Sequence, residues 1–293
     1  MSGGRLKAGS AVRARARLAL IGPGFSYLVV LLVLPLALVI GYSVFRRGRF
    51  GGIAYEDGLT GDSFARLADP LYVGVLTDSL RIAGITTLLA LALGYPTAYA
   101  ITRLPARWRT VALVLVVLPF WTNFLIRTYA WIVLLSSEGV VNSALTGIGL
   151  IDRPLELLYT ETAVVLGLLY AYLPLMVLPL YSAIERVDPR LLEASADLGA
   201  RPVRTFVSVT LPLTLPGVLT GCVFVFVPSL GNFVVPELLG GGRTVMVGNL
   251  IRDQFLSARD WPFGSVLALA LMAFLVLLLM AQAWAGHRLG GRR

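Results

Sequence analysis

Six long stretches without a charged residue set the strongest limit on how this chain can fold. They cover residues 18–45, 82–102, 110–126, 162–184, 205–236 and 261–286. A helix of about 20 apolar residues is long enough to cross a bilayer. The mean hydropathy of +0.81 lies far above that of a soluble domain. The sequence therefore predicts an all-α integral membrane protein with six transmembrane helices.

The chain is divided by its charges and its apolar stretches. Residues 1–17 form a basic tail, and 18–45 form the first transmembrane helix. A core over 75–286 holds the other five helices, and residues 287–293 form a second short tail. Helix-breaking prolines in most of these stretches favour kinked helices around a pathway over a plain membrane anchor.

Two of the six stretches need separate treatment. The third continues past Arg127 to about Leu135, and the fifth, 205–236, exceeds one bilayer crossing. We therefore assign the beginning of the fifth stretch, through about Leu211, to a preceding polar loop. The connecting segments 46–78, 136–160 and 238–260 are long enough for short surface helices.

Basic residues are distributed unevenly between the two sides of this topology. With both termini on one side, that side holds 15 basic and 4 acidic residues. The other side and the spans hold 10 basic and 12 acidic residues. The positive-inside rule therefore predicts cytoplasmic termini and an external segment 136–160. The basic residues flank spans, and this placement excludes a nucleic-acid-binding stripe.

A polar helix between two apolar stretches is the most distinctive local feature. Asp188 can cap its first amides, Pro189 suits the first helical position, and Gly199 followed by Pro202 supplies a stop. Small and aliphatic groups share one predicted face, at Leu191, Ala194, Ser195 and Leu198. Local chemistry alone leaves two alternatives open, a solvated loop helix and a docking element for a cytoplasmic partner.

The order of residues in this segment resembles the EAA signature of ATP-binding-cassette importer permeases. The matching residues are Glu193, Ala194, Ser195, Gly199, Leu211 and Pro212. The resemblance implies a type I (MetI-like) permease fold with a cytoplasmic coupling loop at about 185–212. It also implies that this loop docks on the ATPase through Glu193, Ala194, Ser195, Asp197, Gly199 and Pro212.

Longer segments resemble the spermidine/putrescine branch of these importers over about residues 75–265. They are LGYPTAY (93–99), LPFWTNFLIRTYAW (118–131), VPELLGG (235–241) and GNLIRDQFLSARDWPFG (248–264). The resemblance implies a bacterial inner-membrane permease for a polyamine. Its implied partners are membrane lipid, a second homologous permease, a dimer of cytoplasmic ATPases and an external substrate-binding protein.

One departure concerns the solute. Members of the putrescine type tend to read Gly-Glu-Phe where this chain has Gly231, Asn232 and Phe233. An opine or an amino-acid derivative is therefore an alternative substrate. Asn232 is predicted to face the translocation path, where Asn232→Glu would favour cationic solutes. Acids near the outer ends of the spans remain as candidates, at Asp78, Glu237, Asp253 and Asp260.

Further candidates for the path surround Arg127, the one charge well within a predicted span. An ionisable residue there is a functional candidate, although it can also pair locally or extend to the interface. Trp121, Asn123 and Tyr129 lie nearby and serve either as path residues or as interface anchors. Gly217 and Gly221 form a GxxxG step, which indicates close helix packing inside the chain or with a neighbour.

Sequence motifs argue against catalysis by this chain. It has one histidine, His287, no catalytic or metal-binding motif, and no phosphate-binding GxxxxGK[ST] loop. We therefore expect no cofactor in this chain, with ATP bound by the partner ATPase. Two rival classes, an ion-coupled secondary transporter and an assembly protein that only docks an ATPase, would share the kinked spans or the docking helix.

Overall fold

A computed structural model describes the backbone of residues 4–56 and 58–290 and the side chains of residues 22–56, 58–284 and 286. Its elements in chain order are α1 (Gly4–Ser43), β1 (Arg46–Arg47), β2 (Ile53–Ala54), α2 (Asp62–Ala65), α3 (Pro70–Arg103), α4 (Ala106–Val117), α5 (Phe124–Leu135), α6 (Val140–Gly147), α7 (Glu161–Glu185), α8 (Pro189–Asp197), α9 (Pro202–Thr205), α10 (Leu211–Gly231), α11 (Val234–Gly240), α12 (Val247–Leu256) and α13 (Trp261–Gly290).

Six helical segments of the described residues are long and apolar enough to cross a membrane. They are Gly22–Ser43, Pro70–Arg103, Phe124–Gly147, Glu161–Glu185, Pro202–Gly231 and Trp261–Trp284. The predicted all-α architecture and the number of spans are confirmed. The tail predicted at 1–17 continues helix α1 from residue 4, and the tail predicted at 287–293 begins as the end of α13. Residues 1–3 and 291–293 of those tails lie outside the described residues.

The third predicted span, 110–135, is wrong as a single helix. α4 ends at Val117, a 3₁₀ turn follows over Leu118–Trp121, and α5 begins at Phe124. Pro119 cannot donate a backbone hydrogen bond, and the Asn123 side chain caps the first amides of α5. By length and hydropathy, the stretch that qualifies as a span is Phe124–Gly147, which includes α5, the turn after it and the separate short helix α6 of the connecting segment.

Two other spans have different ends from those predicted. α3 begins well before residue 82, because Asp69 accepts a hydrogen bond from the Leu71 amide at 2.9 Å and Pro70 occupies the first helical position. The stretch 205–236 is divided, since α10 ends at Gly231 and a separate helix, α11, follows. Short helices in the connecting segments, α2, α6 and α12 among them, agree with the prediction.

The chain forms two compact units, of which the first comprises Met1–Leu67 and Gln254–Ala270. β1 and β2 form a small antiparallel hairpin in this unit. Asp260 is 2% exposed, and its carboxylate accepts from the Arg66 guanidinium at 2.7 Å and from the Phe263 amide at 3.2 Å. Asp260, a candidate acid of the sequence, thus caps the start of α13 and pairs with Arg66.

The second unit, Ala68–Asp253 with Leu271–Arg293, is built around α7. α7 packs against α3, α10 and α11. Leu168, Met176, Val177 and Leu180 of α7 are each at most 1% exposed. A hydrophobic core at the middle of this unit therefore depends on how closely the neighbouring helices approach α7.

Glycines on α10 determine how closely that helix can approach α7. A Cβ atom built on Gly217 would lie 2.3 Å from the Ala183 Cβ atom, and one on Gly221 would lie 2.7 Å from the Met176 sulfur. Both distances are shorter than van der Waals contact, so α10 reaches α7 only because these side chains are missing. The GxxxG step consequently packs within the chain, as one of the two sequence interpretations held.

We expect Gly217→Ala to destabilise the permease fold. The added methyl would overlap the Ala183 Cβ atom and the Pro179 carbonyl oxygen, which lies 3.0 Å from the ideal Cβ position. Overpacking of this kind costs about 1–3 kcal/mol. The apparent melting temperature of the full chain in detergent measures the effect.

Gly84→Ala is the matched control for this substitution. Gly84 lies within α3, and nothing lies within 4 Å of its ideal Cβ position. Alanine there favours the helix by about 1 kcal/mol, so the melting temperature should stay the same or rise. Equal behaviour of the two variants would contradict the assignment of Gly217 to the α7–α10 contact.

Candidate functional site

The predicted docking element is a helical hairpin of α8 and α9. The Asp188 side chain accepts from the Arg190 amide at 2.9 Å, and Pro189 starts α8. Gly199 follows the helix with a φ angle of +78°, a left-handed conformation that glycine adopts without a steric penalty. The predicted cap and stop are confirmed, and they give a rigid element of about two and a half turns.

The outer surface of α8 is open. Glu193, Ala194 and Asp197 are exposed, and Leu198 is 89% exposed. Nothing in the chain lies within 4 Å of an ideal Cβ atom on Gly199. Two carboxylates, an aliphatic side chain and a bare stretch of backbone therefore lie together where a soluble surface can reach them.

Ser195 has a partner that the sequence did not predict. It shares a face of α8 with Leu191 and Ala194, and its hydroxyl lies 3.0 Å from the Thr205 hydroxyl and is partly buried. The two hydroxyls join α8 to the end of α9. A small side chain at this position thus closes the hairpin, while its neighbours on α8 remain exposed.

Aromatic contacts connect the hairpin to the spans. The Phe206 ring meets the Tyr95 ring edge-on at a centroid distance of 5.4 Å, and the Tyr99 ring at 6.5 Å. The Tyr95 hydroxyl lies 2.9 Å from the Thr214 hydroxyl of α10. These contacts join the residue that follows α9 to α3, and α3 to α10.

A π-helical segment, Phe206–Thr210, separates α9 from α10. Pro212, the second residue of α10, has no amide hydrogen, so the carbonyl of Ser208 four residues earlier lacks its α-helical donor. In this segment the Leu211 amide donates to the Phe206 carbonyl five residues earlier, which is the hydrogen-bond spacing of a π-helix. The predicted coupling residue Pro212 accordingly lies at the junction of the hairpin with the fifth span.

Arg127 has partners within its own neighbourhood. Its guanidinium donates to the Pro119 carbonyl at 2.6 Å and lies 5.6 Å from the ring centres of both Phe124 and Tyr170. Such contacts stabilise a cation away from water. Arg127 therefore holds the interruption between α4 and α5 together, in line with the structural interpretation of this residue.

The other three candidates near the interruption differ in exposure and role. Asn123 accepts from the Leu125 amide at 2.8 Å and serves as the cap of α5. Trp121 is 80% exposed and Tyr129 is 55% exposed. Both rings face the surroundings of this chain, where lipid, a second subunit or a solute can contact them.

Asn232 lies in a more enclosed site than the sequence predicted. It is 9% exposed, its amide nitrogen donates to the Tyr172 hydroxyl at 2.8 Å, and its oxygen accepts from the Val235 amide at 2.9 Å. The Tyr172 hydroxyl in turn donates to the Pro228 carbonyl at 3.3 Å. Asn232 thus joins the end of α10, the start of α11 and the middle of α7.

Glu237 pairs with Arg252 across α11 and α12. Arg252 also contacts Asp253 at 2.9 Å, and its guanidinium lies 5.7 Å from the centre of the Phe233 ring. Glu237 and Asp253 keep 43% and 45% of their side-chain surface exposed. This cluster joins α11 to Arg252 of α12. Among the described residues, no group of three or more metal-ligating side chains could hold a metal ion.

Comparison with known proteins identifies the class of this chain. The family model for the binding-protein-dependent transport system inner membrane component matches residues 90–289. A spermidine/putrescine transport system permease protein PotB from Haemophilus influenzae is 44% identical over 255 residues, which cover 87% of this chain and 88% of the relative. The chain belongs to this family of permeases. PotB of Escherichia coli K12 is 43% identical over 263 residues, which cover 90% of this chain and 94% of that one.

The fold of the permease agrees with a solved structure. A bacterial alginate ABC transporter, crystallised with an alginate pentasaccharide-bound periplasmic protein, contains a chain with a TM-score of 0.78 to this one. The sequences are 17% identical and the match covers 96% of each chain, so the likeness concerns the fold alone. The permease is thus a multi-pass inner-membrane subunit of an ATP-driven importer, and a separate subunit hydrolyses ATP.

Some residues of the site had no signal in the sequence. Tyr172 and Arg252 lie far along the chain from their partners Asn232 and Glu237, so no local spacing could indicate the contacts. The only available signal for Arg252 was its position in the segment 248–264 that resembles other permeases. Thr205 was missed because its role depends on the turn that brings it to Ser195.

We expect Asn232→Glu to destabilise the permease before it changes solute choice. Glutamate would place a carboxylate where an amide now donates to the Tyr172 hydroxyl, in a site that is 9% exposed. An unsatisfied buried group costs about 1–3 kcal/mol, more when charged. Melting temperature and membrane abundance should both fall.

Gly231→Glu serves as the control, because it adds the same charge one residue away. Gly231 is exposed, and nothing lies within 4 Å of its ideal Cβ position. This variant should retain the melting temperature of the parent. A stable Asn232→Glu permease with a new preference for cationic solutes would instead support the sequence-based view that Asn232 faces the path.

Proposed function

We propose that the permease imports a polyamine of the spermidine or putrescine type. The observation that carries this proposal is the 43–44% identity, over most of the chain, to permeases that are named for spermidine and putrescine transport. Identity at this level over nearly the whole length supports a shared solute class. The fold alone does not support a shared solute class, because a chain of the alginate transporter has the same fold.

The exposed groups around Arg252 support an amine as the solute. Carboxylates and aromatic faces are the groups that attract ammonium ions. Glu237, Asp253 and Phe233 supply both kinds within contact of one guanidinium. A cationic side chain of the protein therefore already occupies surroundings that suit a cationic solute.

A second candidate solute class rests on the sequence. Permeases of the putrescine type tend to have a glutamate where this chain has Asn232, and the missing carboxylate leaves an opine or an amino-acid derivative as the alternative. The Asn232 side chain bonds to Tyr172 and Val235, so it would affect solute choice through the position of α11. Both candidates use the same importer and differ only in the solute.

Uptake by cells separates the two candidates. The complete transporter is expressed in cells that lack their own polyamine import, and entry of radiolabelled spermidine and putrescine is measured. We expect saturable uptake of at least one, which excess unlabelled polyamine suppresses. Uptake of an opine that excess spermidine leaves unchanged would contradict the polyamine assignment.

The remaining subunits are proposed by class. Membership of the family supports an ATPase and an external substrate-binding protein as partners. We infer further that the translocation path forms between this chain and a second, homologous permease, in membrane lipid, above a dimer of ATPases that binds the ATP. The many exposed apolar side chains of α1, from Phe25 to Ile40, support such contacts with lipid or a second subunit.

The orientation rests on the charge asymmetry, which supports cytoplasmic termini and an external segment 136–160. α7 is a single helix about 38 Å long, so the α6 segment before it and α8 after it lie near opposite ends of that helix. Segment 136–160 and the docking hairpin should therefore be reached from opposite sides of the membrane.

Cysteine labelling tests this orientation. Starting from Cys222→Ser, single cysteines are placed at Ser137, Thr146 and Ala196, which are all exposed. A charged, impermeant maleimide should label intact cells or spheroplasts at 137 and 146 and label 196 only after lysis. Labelling of 137 and 146 from the cytoplasmic side alone would show that the orientation is reversed.

We propose that α8 docks on the ATPase. The exposed carboxylates of Glu193 and Asp197, the exposed Leu198 and the bare Gly199 backbone support a surface that a cleft can receive. The contacts Ser195–Thr205 and Phe206–Tyr95 support a rigid connection from that surface to the spans. Force from ATP hydrolysis would then reach α3 and α10 through the hairpin.

Gly199→Asp and Glu193→Lys are expected to abolish uptake while membrane abundance stays normal. A side chain in the left-handed conformation costs only about 1 kcal/mol, and the chain leaves open space there. A larger effect must therefore come from a clash with the partner. Glu193 would lose a charge-assisted hydrogen bond, worth about 1.5–3 kcal/mol when sheltered. Co-purification of the ATPase and uptake are measured in the same preparation.

The chain supplies a matched control for each substitution. Gly242 has the same φ of +78° and equally open surroundings, and Glu138 is an exposed acid in the segment 136–160. Gly242→Asp and Glu138→Lys should retain ATPase binding. Full uptake by the α8 variants would remove the docking assignment, and loss of membrane insertion would show a folding role instead.

A further inference from the structure

A cavity of about 210 Å³ lies beside the docking hairpin. Its lining includes Tyr99, Arg103, Arg109, Glu185, Leu192 and Thr210. These residues come from the end of α3, from α4, from the end of α7, from α8 and from the π segment. The cavity is therefore located where the spans end and the docking helix begins, and the function proposed above gives it no role.

Two guanidinium groups line the cavity, and each retains hydrogen-bonding capacity. Arg109 contacts the Glu185 carboxylate at 3.0 Å and the Thr102 carbonyl at 3.0 Å, while its Nε–H is buried and has no protein acceptor. Arg103 donates to the Tyr99 hydroxyl at 2.6 Å and forms no ion pair among the described residues. An acceptor between the two arginines would satisfy these donors.

The charge of the lining favours an anion. Arg103 and Arg109 face one carboxylate, that of Glu185, so the lining carries a net positive charge. A phosphate oxygen is a strong acceptor for guanidinium donors, and arginine is the usual residue for this pairing. A volume of about 210 Å³ is ample for a phosphate group with part of its ester.

The apolar residues of the lining favour a lipid over a free anion. Ile184, Val187, Pro189 and Leu192 line the same cavity as the two arginines. α3 ends at Arg103 and α7 ends at Glu185, and helix ends of a spanning protein lie at the depth of the lipid headgroups. A phospholipid has an anionic phosphate for the arginines and apolar acyl chains for the aliphatic residues of the lining.

We propose that this cavity binds the phosphate of an anionic phospholipid headgroup, between Arg103 and Arg109. The bound lipid contacts the α3–α4 turn on one side and the start of α8, at Pro189 and Leu192, on the other. It thereby stabilises the position from which the docking hairpin leaves the membrane. The proposal does not depend on which solute the permease carries.

Native mass spectrometry of the full-length chain tests the proposal. The chain is delipidated in detergent and titrated with phosphatidylglycerol, with phosphatidylcholine and with inorganic phosphate. We expect retention of one phosphatidylglycerol over phosphatidylcholine, and we expect Arg103→Gln to weaken that retention about tenfold or more, since one charge-assisted contact is lost. Arg103 is the residue of choice because, unlike Arg109, it forms no ion pair with Glu185.

Arg107→Gln is the control with the same change in charge. Arg107 lies on α4, is exposed, and does not line the cavity. Unchanged phosphatidylglycerol retention in Arg107→Gln, together with loss in Arg103→Gln, supports the site. Equal loss in both variants would show general attraction of anionic lipid and overturn it. Retention of inorganic phosphate with no lipid preference, or equal retention of both lipids, would overturn it as well.

Discussion

The permease depends on two helices, α3 and α10, approaching α7 more closely than side chains ordinarily allow. Gly94 and Gly221 both face Met176, Gly217 faces Ala183, and the bare backbone in each case brings a whole helix inward. Association of helices in lipid gains little from the hydrophobic effect, because the solvent is itself apolar. Dispersion contacts over these short distances must therefore supply the stability of the core.

Features that follow from local chemistry were predictable from the sequence. The length of apolar stretches predicted six spans, and Asp188, Pro189 and Gly199 predicted both ends of α8. Errors arose where a proline or a capping side chain interrupts a helix that hydropathy alone predicts. The apolar stretch 110–126 and its continuation to Leu135 concealed an interruption, because Pro119 and the capping Asn123 outweigh hydropathy there.

The candidate path was less predictable, because its contacts depend on a break between two helices at Pro119 and on a residue 60 positions away, Tyr172. A search for ionisable or amide groups in apolar stretches finds Arg127 and Asn232 but not their partners. The Pro119 carbonyl and the Tyr172 hydroxyl decide that both side chains bind protein groups. The sequence similarly could not reveal the partner of Ser195, because that contact depends on the turn that brings Thr205 beside it.

The π segment Phe206–Thr210 has a consequence for how the fifth span is compared among relatives. It holds one residue more than an α-helical turn, so side chains before it are rotated by about 100° relative to a continuous α-helix. A helical wheel drawn through Pro202–Gly231 would assign lipid-facing and buried positions incorrectly on one side of Thr210. Numbering by helical face should therefore restart at Leu211.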